Sequence, residues 1–187
     1  GKFSQEAKQA GLTLDWAFAC IDAGNQLQKI FQKRGLESAR LDPTCDGYIY
    51  WTIVDVGNPT AQGLFNPFWQ PKASTAEEFS KFNGPVTILA EMTPADQILT
   101  EADELKIEWW ISHFGWKQIK NQSLRWQLTT NGKTILDGKI SDINVSAGLL
   151  KDIGTTLIKV PALTVPLKAK LTAEFENTNV KNCWDIW

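Results

Sequence analysis

Histidine, cysteine and paired carboxylates are the side chains that most often catalyse hydrolysis or hold a metal, and this sequence offers few of them. His113 is the only histidine, and it lies within a strand pattern, where we expect a structural role rather than service as a catalytic base. Cys20, Cys45 and Cys183 are widely separated and show no CxxC or Cys/His ligand spacing. Motifs for nucleotide, zinc-peptidase and EF-hand calcium binding are also missing. The sequence therefore predicts no metal site and no cofactor.

Glycoside hydrolysis requires two carboxyl groups about 5 to 9.5 Å apart, one protonated and one ionised. Glu77–Glu78, Asp103–Glu104 and Glu101 supply carboxylates, but they fall at a helix start and in a polar linker, where solvated surface charge is the expected role. Asp55 differs because it ends a run of apolar residues typical of a buried strand. In parallel α/β folds, ligand-binding groups gather at the carboxyl ends of such strands. We predict a binding role for Asp55 and no catalytic pair.

Tryptophan is the most over-represented residue type, with nine in 187 residues. Tryptophan rings fill protein cores, and they also form flat apolar platforms on which sugar rings stack. Trp110 falls on the strand face opposite Trp109, and Trp116 follows Gly115 in a loop, so both are candidate sugar-stacking residues. Packing against a neighbouring domain is the alternative for both, because exposed apolar patches also mark contact surfaces.

Charge and hydropathy exclude two classes of partner. The net charge of −2 and the pI near 5.5 leave no broad cationic surface, so nucleic-acid binding is not expected. No run of 18 apolar residues occurs, which argues against membrane insertion. The first ten residues lack the apolar stretch of a signal peptide, and Gly1 is typical of a residue left after tag removal, so the natural chain is expected to begin upstream.

Residues 1–84 carry α/β patterns. Helical periodicity from Ser4 to Arg34, followed by Gly35, predicts one or two helices that end at that glycine. The run Tyr48–Val56 predicts a strand buried on both faces, as in a parallel sheet. A loop rich in glycine and proline follows, and then a short helix with a capping box at Ser74 and Glu77 that ends at Asn83-Gly84.

Residues 85–187 carry β patterns. Leu105 to Ser112 and Leu167 to Phe175 alternate apolar and polar residues, as half-buried strands do. Asn131-Gly132, placed between two alternating segments, predicts a hairpin with a type I′ turn. Six or seven strands in about 100 residues indicate an immunoglobulin-like antiparallel β-sandwich. The predicted domains are therefore 1–84 and 85–187, and the overall fold class is mainly β.

Two segments carry a resemblance to a known family. The strand GYIYWTIVD, residues 47–55, and the loop GLFNPFWQPK, residues 63–72, resemble the last barrel strand and the following loop of glycoside hydrolase family 2, which includes the β-galactosidases and β-glucuronidases. The matching residues are Trp51, Asp55, Gly63, Phe65, Gln70, Pro71 and Lys72. In addition, the ending NCWDIW resembles the Asn-x-Trp-Asp-x-Trp ending of an accessory sandwich in related bacterial polysaccharide-degrading enzymes.

The resemblance implies that Tyr48–Val56 is strand eight of a TIM barrel. In that family the acid/base and nucleophile glutamates follow strands four and seven, which would lie upstream of Gly1. The isolated chain is then expected to be inactive, while Trp51, Asp55 and Trp69 remain as substrate-binding candidates. The glucuronidases of the family place Asn-x-Lys before the loop glycine to pair with the sugar carboxylate, whereas this chain has Thr60-Ala61-Gln62. A neutral sugar is therefore the expected substrate.

The expected partner is a carbohydrate, bound by the full enzyme as a retaining glycosidase. A non-catalytic carbohydrate-binding or structural interaction module remains the alternative. One buried strand without a neighbour in residues 1–84 leaves backbone groups unpaired. This segment is therefore expected to be completed by further chain, or to be covered by the sandwich or by another molecule, such as a second copy in a homodimer. The resemblance favours a periplasmic or extracellular location.

Overall fold

The computed structural model describes residues 2–56, 62–93, 95–100, 103–160 and 165–187. The chain divides into two units. The N-terminal unit contains residues 1–36 and 47–78, and the sandwich unit contains residues 37–46 and 79–187. The boundary predicted near Gly84-Pro85 stays a prediction. None of the helices in the described part of the chain is long and apolar enough to cross a membrane.

The described residues form three α-helices: α1 over Lys2–Gln9, α2 over Leu14–Leu41 and α3 over Ala76–Asn83. The prediction that a helix ends at Gly35 is wrong. An interior glycine costs a helix only about 1 kcal/mol, and the buried residues Leu36 and Glu37 continue α2 beyond it. The helix instead ends just before Pro43, where Asp42 Oδ1 accepts the Thr44 N–H at 2.8 Å.

The start of α3 lies one residue later than the capping box predicted from Ser74 and Glu77. Thr75 and Glu78 form the box: Thr75 Oγ1 accepts the Glu78 N–H at 3.1 Å, and Glu78 Oε2 accepts the Thr75 N–H at 3.0 Å. Two backbone donors at the helix start are thereby satisfied. The helix ends at Asn83, as predicted.

The expected strand Tyr48–Val56 does not form. The segment makes one isolated parallel bridge, between Val54 and Phe65, and its Ile49 side chain is 92% exposed. A parallel strand needs neighbouring strands to pair its N–H and C=O groups, whereas Ile53 and Asp55 bond through their backbone to the loop at Leu64 and Phe65. A fragment of a TIM barrel is therefore not shown by this structure.

Where the structure describes it, the sandwich unit contains two antiparallel sheets, in agreement with the predicted β-sandwich. One sheet has the order β1-β2-β5 and the other the order β4-β3-β6-β7. The chain crosses between the sheets after β2, β4 and β5, a connectivity of the Greek-key class to which immunoglobulin-like domains belong. The strands are β1 Val86–Glu91, β2 Glu104–His113, β3 Ile119–Thr130, β4 Lys133–Val145, β5 Leu149–Lys159, β6 Ala169–Phe175 and β7 Lys181–Ile186.

The hairpin of β3 and β4 turns where the sequence predicts it. Asn131 and Gly132 both have positive φ, at 46° and 75°, as a type I′ turn requires. Further along β4, Gly138 lies under the indole ring of Trp126, and a Cβ at this position would come within 2.6 Å of the ring. The glycine thus lets a large ring lie flat across the strand.

The core between the two sheets is aliphatic and aromatic. Trp109 on β2 and Trp184 on β7 meet edge to face with ring centroids 6.0 Å apart, an arrangement that aromatic pairs favour. Both rings are buried with the alternate residues of their strands. At least these two of the nine tryptophans therefore serve packing.

Part of the NCWDIW ending is anchored to the last turns of α2. Asn182 donates from Nδ2 to Glu37 Oε1 at 2.7 Å and to the Ile88 carbonyl at 2.8 Å. Trp184 Nε1 donates to Glu37 Oε2 at 3.2 Å. Because Glu37 and Asn182 are both buried, these bonds satisfy polar groups that would otherwise be costly to remove from water.

Candidate functional site

The segments that carry the family resemblance meet at Asp55 in the N-terminal unit. Asp55 Oδ1 accepts the Gly63 N–H at 2.7 Å, and Lys72 Nζ donates to Asp55 Oδ2 at 3.1 Å. The side chains of Asp55 and Lys72 are only 11% and 10% exposed, so the ion pair is largely shielded from water. Each carboxylate oxygen has a donor, which gives Asp55 the contacts of a supporting group rather than of one that attacks or protonates a sugar.

Position 63 has room only for glycine, because atoms of Asp55 and Phe65 lie too close to it for a side chain. A Cβ at Gly63 would lie 2.7 Å from the Asp55 nitrogen, 2.8 Å from Asp55 Oδ1 and 2.9 Å from the Phe65 carbonyl oxygen. Any side chain would push the loop away from Asp55 and break the bond to its carboxylate. The glycine of the motif therefore has a steric cause.

A tight turn in the same loop holds Trp69. Asn66 Oδ1 accepts the N–H groups of Phe68 and Gln70 at 2.9 and 3.0 Å, and the Trp69 N–H donates to the Asn66 carbonyl at 2.9 Å. Trp69 has a φ of 62°, which is uncommon for a residue with a side chain. Its ring is 69% exposed and lies 6.1 Å from that of Phe65. The turn thus presents an aromatic ring to solvent.

Phe65 links this turn to Asp55. The Asp55 N–H donates to the Phe65 carbonyl at 3.0 Å, and the N–H of Phe65 donates to the Ile53 carbonyl at 3.1 Å. Phe65 therefore contacts Asp55 through its backbone and Trp69 through its ring. Trp51, in the same unit, is 71% exposed, and its peptide bond to Thr52 is cis. The predicted substrate-binding residues Trp51, Asp55 and Trp69 thus share one unit, and a binding role for them stays a prediction.

A second set of polar contacts lies around Tyr50, the residue before Trp51. The Tyr50 hydroxyl donates to the Gln62 carbonyl at 2.9 Å and accepts a bond from Gln32 Nε2 on α2. Burial raises the pKa of Tyr50, with a smaller raising effect from the charge of Asp55. At neutral pH the hydroxyl therefore keeps its proton and serves as a donor.

The two predicted stacking residues of the sandwich unit have different surroundings. Trp110 on β2 is half-buried, and its Nε1 donates to Glu91 Oε2 at 2.9 Å. Trp116, in the loop between β2 and β3, is fully exposed. Of the two, only Trp116 presents an unobstructed ring face, so it fits a stacking role better than Trp110 does.

The loop that carries Trp116 is fixed by His113, which is completely buried. The ring nitrogen Nδ1 accepts the Gly115 N–H at 3.1 Å, and Nε2 lies 2.7 Å from the Lys117 carbonyl oxygen. These partners define a neutral imidazole with its proton on Nε2. The expectation of a structural role for His113 agrees with these contacts.

Sequence reasoning did not identify the roles of Asn66 and Lys72. Asn66 precedes Pro67, and asparagine side chains commonly bond to the backbone two residues on, so local turn chemistry could have indicated the turn. Lys72 was matched only as part of a motif, and a lysine seventeen residues from an aspartate gives no local sign of an ion pair.

Comparison with known proteins gives a family for part of the chain and a fold for most of it. Residues 103–187 match a family described as "Domain of unknown function (DUF8488)". The matched residues make up less than half of the chain. No curated protein matches the chain in sequence.

The fold is similar to part of the exo-chitosanase CsxA of Amycolatopsis orientalis. A complex of that enzyme with PNP-beta-D-glucosamine aligns with a TM-score of 0.60, and a second structure of CsxA aligns with a TM-score of 0.59. Each alignment has 15% sequence identity and covers 88% of this chain but only 19% of the chitosanase chain. At this identity the likeness shows the fold alone.

More distant structures support no assignment. They include a family 2 beta-glucuronidase with a TM-score of 0.36 and 18% identity, but also the CARDB domain of a Pyrococcus furiosus protein with a TM-score of 0.38 and 14% identity. The chain covers 10% of the former and 83% of the latter, and each alignment includes 54% of this chain.

Proposed function

We propose that residues 1–187 are the C-terminal region of a retaining glycoside hydrolase related to family 2, and that the catalytic carboxylates are supplied by chain upstream of Gly1. The observation that carries the proposal is the contact of Asp55 with both Gly63 and Lys72. Residues that match the family's strand and loop are thereby joined into one local structure. The fold likeness to a chitosanase, which extends over 88% of this chain, supports the same interpretation.

The loop chemistry supports a neutral sugar as the substrate. Residues 62–70 contain no charged side chain, and the Asp55 carboxylate is engaged by Gly63 and Lys72. A uronic acid would need a cation, and an amino sugar would need an uncommitted carboxylate. Galactosides and glucosides are therefore expected to be better substrates than glucuronides or glucosaminides, although the chitosanase that shares the fold was crystallised with a glucosamine derivative.

Trp51 is proposed to line the floor of the sugar subsite, with Trp69 at its edge. Contact with one face of a sugar ring buries apolar area worth about 1.5 to 3 kcal/mol. In the longer gene product, Trp51→Ala is expected to lower kcat/KM for an aryl β-galactoside or β-glucoside by about 10- to 100-fold. Trp116→Ala, in the other unit, is the matched control and should leave kcat/KM unchanged. Equal effects of the two substitutions would remove Trp51 from the site.

A carbohydrate-binding role of the sandwich unit is a second candidate, favoured by the full exposure of Trp116 on a loop that His113 fixes. Because the backbone of the loop is already fixed, stacking on a sugar would have to order only the Trp116 side chain. The test is a tryptophan fluorescence titration of the 187-residue chain with a broad set of oligosaccharides. A saturable change that Trp116→Ala abolishes and Trp110→Ala does not would support the role, whereas no change with any glycan would exclude it.

A further inference from the structure

A large cavity lies between the two sheets at one end of the sandwich. Its volume is about 490 Å³, within the range of small-molecule sites. Both sheets contribute to its wall near the ends of their strands, through Leu105 and Ile158 on one side and Leu128, Ile135, Ala169 and Ile186 on the other. All of the described lining residues belong to the sandwich unit.

The lining is mainly hydrocarbon. Apart from Lys168 and the indole of Trp187, the lining side chains among the described residues are aliphatic or proline. Such a surface offers water few hydrogen-bond partners, so water is held poorly in it. A sugar would be equally unsuited, because its hydroxyl groups would lose their hydration without gaining partners. The wall therefore selects an alkyl chain.

The polar edge of the cavity is organised around Lys168. Its ammonium donates to Asp185 Oδ2 at 2.6 Å and lies 4.6 Å from the ring centroid of Trp187. Two hydrogen bonds of 2.7 Å hold the Trp187 backbone. The Trp187 N–H donates to the Gln97 carbonyl oxygen, and the Leu99 N–H donates to the Trp187 carbonyl oxygen. A lysine ammonium has three donors, so Lys168 can bind a further acceptor while it keeps its bond to Asp185. The side chain is 46% exposed, which places its charge where the cavity meets solvent.

We propose that this cavity binds a medium-chain carboxylate of the fatty-acid class. The alkyl chain occupies the aliphatic interior, and the carboxylate accepts a hydrogen bond from Lys168 at the edge. A carboxylate is preferred to an uncharged head group because Lys168 is the one charged side chain among the described lining residues and a charge-assisted bond is the stronger kind. The proposal does not depend on the proposed hydrolase function, since the ligand contains no sugar.

Calorimetric titration of the 187-residue chain with decanoate tests the proposal. Saturable one-to-one binding is expected, with a negative heat-capacity change from the burial of the alkyl chain. Lys168→Met is expected to weaken decanoate about tenfold and to leave 1-decanol unaffected. Lys170→Met is the control, because Lys170 is an exposed residue two positions further along the chain, on β6, and is outside the lining.

A second pair of variants tests the interior. Val165 lines the cavity but is 63% exposed, so Val165→Trp can fill space from the rim without straining the core. It should weaken both decanoate and 1-decanol at least tenfold, whereas Leu157→Trp, at an exposed residue outside the lining, should weaken neither. Three results would each overturn the proposal: no saturable decanoate binding, the same effect from Lys168→Met and Lys170→Met, or no loss of binding in Val165→Trp.

Discussion

Asp55 joins two parts of the loop that lie eight and seventeen residues away, through Gly63 and Lys72. A shielded ion pair of this kind does not guarantee a large gain in stability, because both charges lose hydration when they are buried. Removal of one partner is nevertheless costly, since the remaining charge has lost both water and its counter-charge. Substitution of Lys72 therefore tests directly whether the ion pair with Asp55 holds the loop.

Lys72→Met is expected to lower the free energy of unfolding by about 2 to 4 kcal/mol, as measured by urea denaturation. The matched control is Lys139→Met, which breaks the pair between Lys139 and Glu176, whose side chains are 47% and 37% exposed. That substitution should cost less than about 1 kcal/mol. Equal losses in the two variants would mean that the Asp55 pair is solvated like a surface pair.

Glu78 gives a prediction about acid stability. The bond from the Lys29 ammonium, followed by that from the Thr75 N–H, lowers the pKa of Glu78 from 4.5 to about 2. A carboxylate with a lowered pKa stabilises the fold above its unfolded pKa, and this contribution is lost as the pH falls from about 4.5 to about 2. The side chain is 37% exposed, so solvent screening keeps the contribution below about 1 kcal/mol.

The measurement is the free energy of unfolding between pH 5 and pH 2, compared among the wild-type chain, Glu78→Gln and Lys29→Met. Both variants should show a shallower loss of stability toward low pH than the wild type, because each removes the interaction that lowers the pKa. Parallel curves for all three proteins would show that the pair contributes nothing.

At the scale of the element, the loop between β2 and β3 depends on a buried side chain for its shape. His113 bonds to the backbone at Gly115 and Lys117, and its main chain pairs with Gly148, whose N–H donates to the His113 carbonyl at 2.7 Å. His113→Ala is expected to lower the free energy of unfolding by about 2 to 4 kcal/mol, because it leaves a cavity and two polar groups without their partner.

The control for this loop is Trp116→Ala, which removes a larger side chain from a fully exposed position. It should change the free energy of unfolding by no more than about 0.5 kcal/mol, as measured by the same urea titration. If Trp116→Ala destabilises the chain as much as His113→Ala does, the Trp116 ring packs against the protein and is no stacking platform.

Elements with local signals could be predicted from the sequence, and elements that depend on distant partners could not. The turn at Asn131-Gly132 is specified by residues that accept positive φ, and the alternation of β2 follows from its burial. The segment Tyr48–Val56 has the composition of a strand, but composition does not supply the neighbouring strands that would pair it. The contact of Glu37 with Asn182 and Trp184 links positions about 145 residues apart, for which no local pattern exists.

At the scale of the whole molecule, the N-terminal unit exposes many large apolar side chains. They include Trp16, Phe18, Ile49, Trp51, Ile53 and Val56, more than a surface in permanent contact with water usually carries. We propose that upstream chain covers these side chains in the full enzyme. In the isolated 187-residue chain, a second copy is the expected cover.

Sedimentation equilibrium at increasing concentration is expected to show reversible self-association of the isolated chain. Ile49→Lys, which places a charge at a 92% exposed apolar position, should weaken the association about tenfold or more. The exposed site Leu157 in the sandwich unit offers the matched control, Leu157→Lys, which should leave it unchanged. A chain that remains monomeric at the highest concentration would exclude the homodimer.

We propose that this chain holds part of a sugar site and that upstream chain supplies the catalytic pair. The direct measurement is the hydrolysis of p-nitrophenyl β-D-galactoside and β-D-glucoside by the purified 187-residue chain and by the longer gene product, at equal molar concentration. We predict that the longer product hydrolyses at least one of these substrates and that the 187-residue chain releases no p-nitrophenol above the uncatalysed background. Hydrolysis by the clean 187-residue chain at a rate comparable to that of the longer product would contradict the claim.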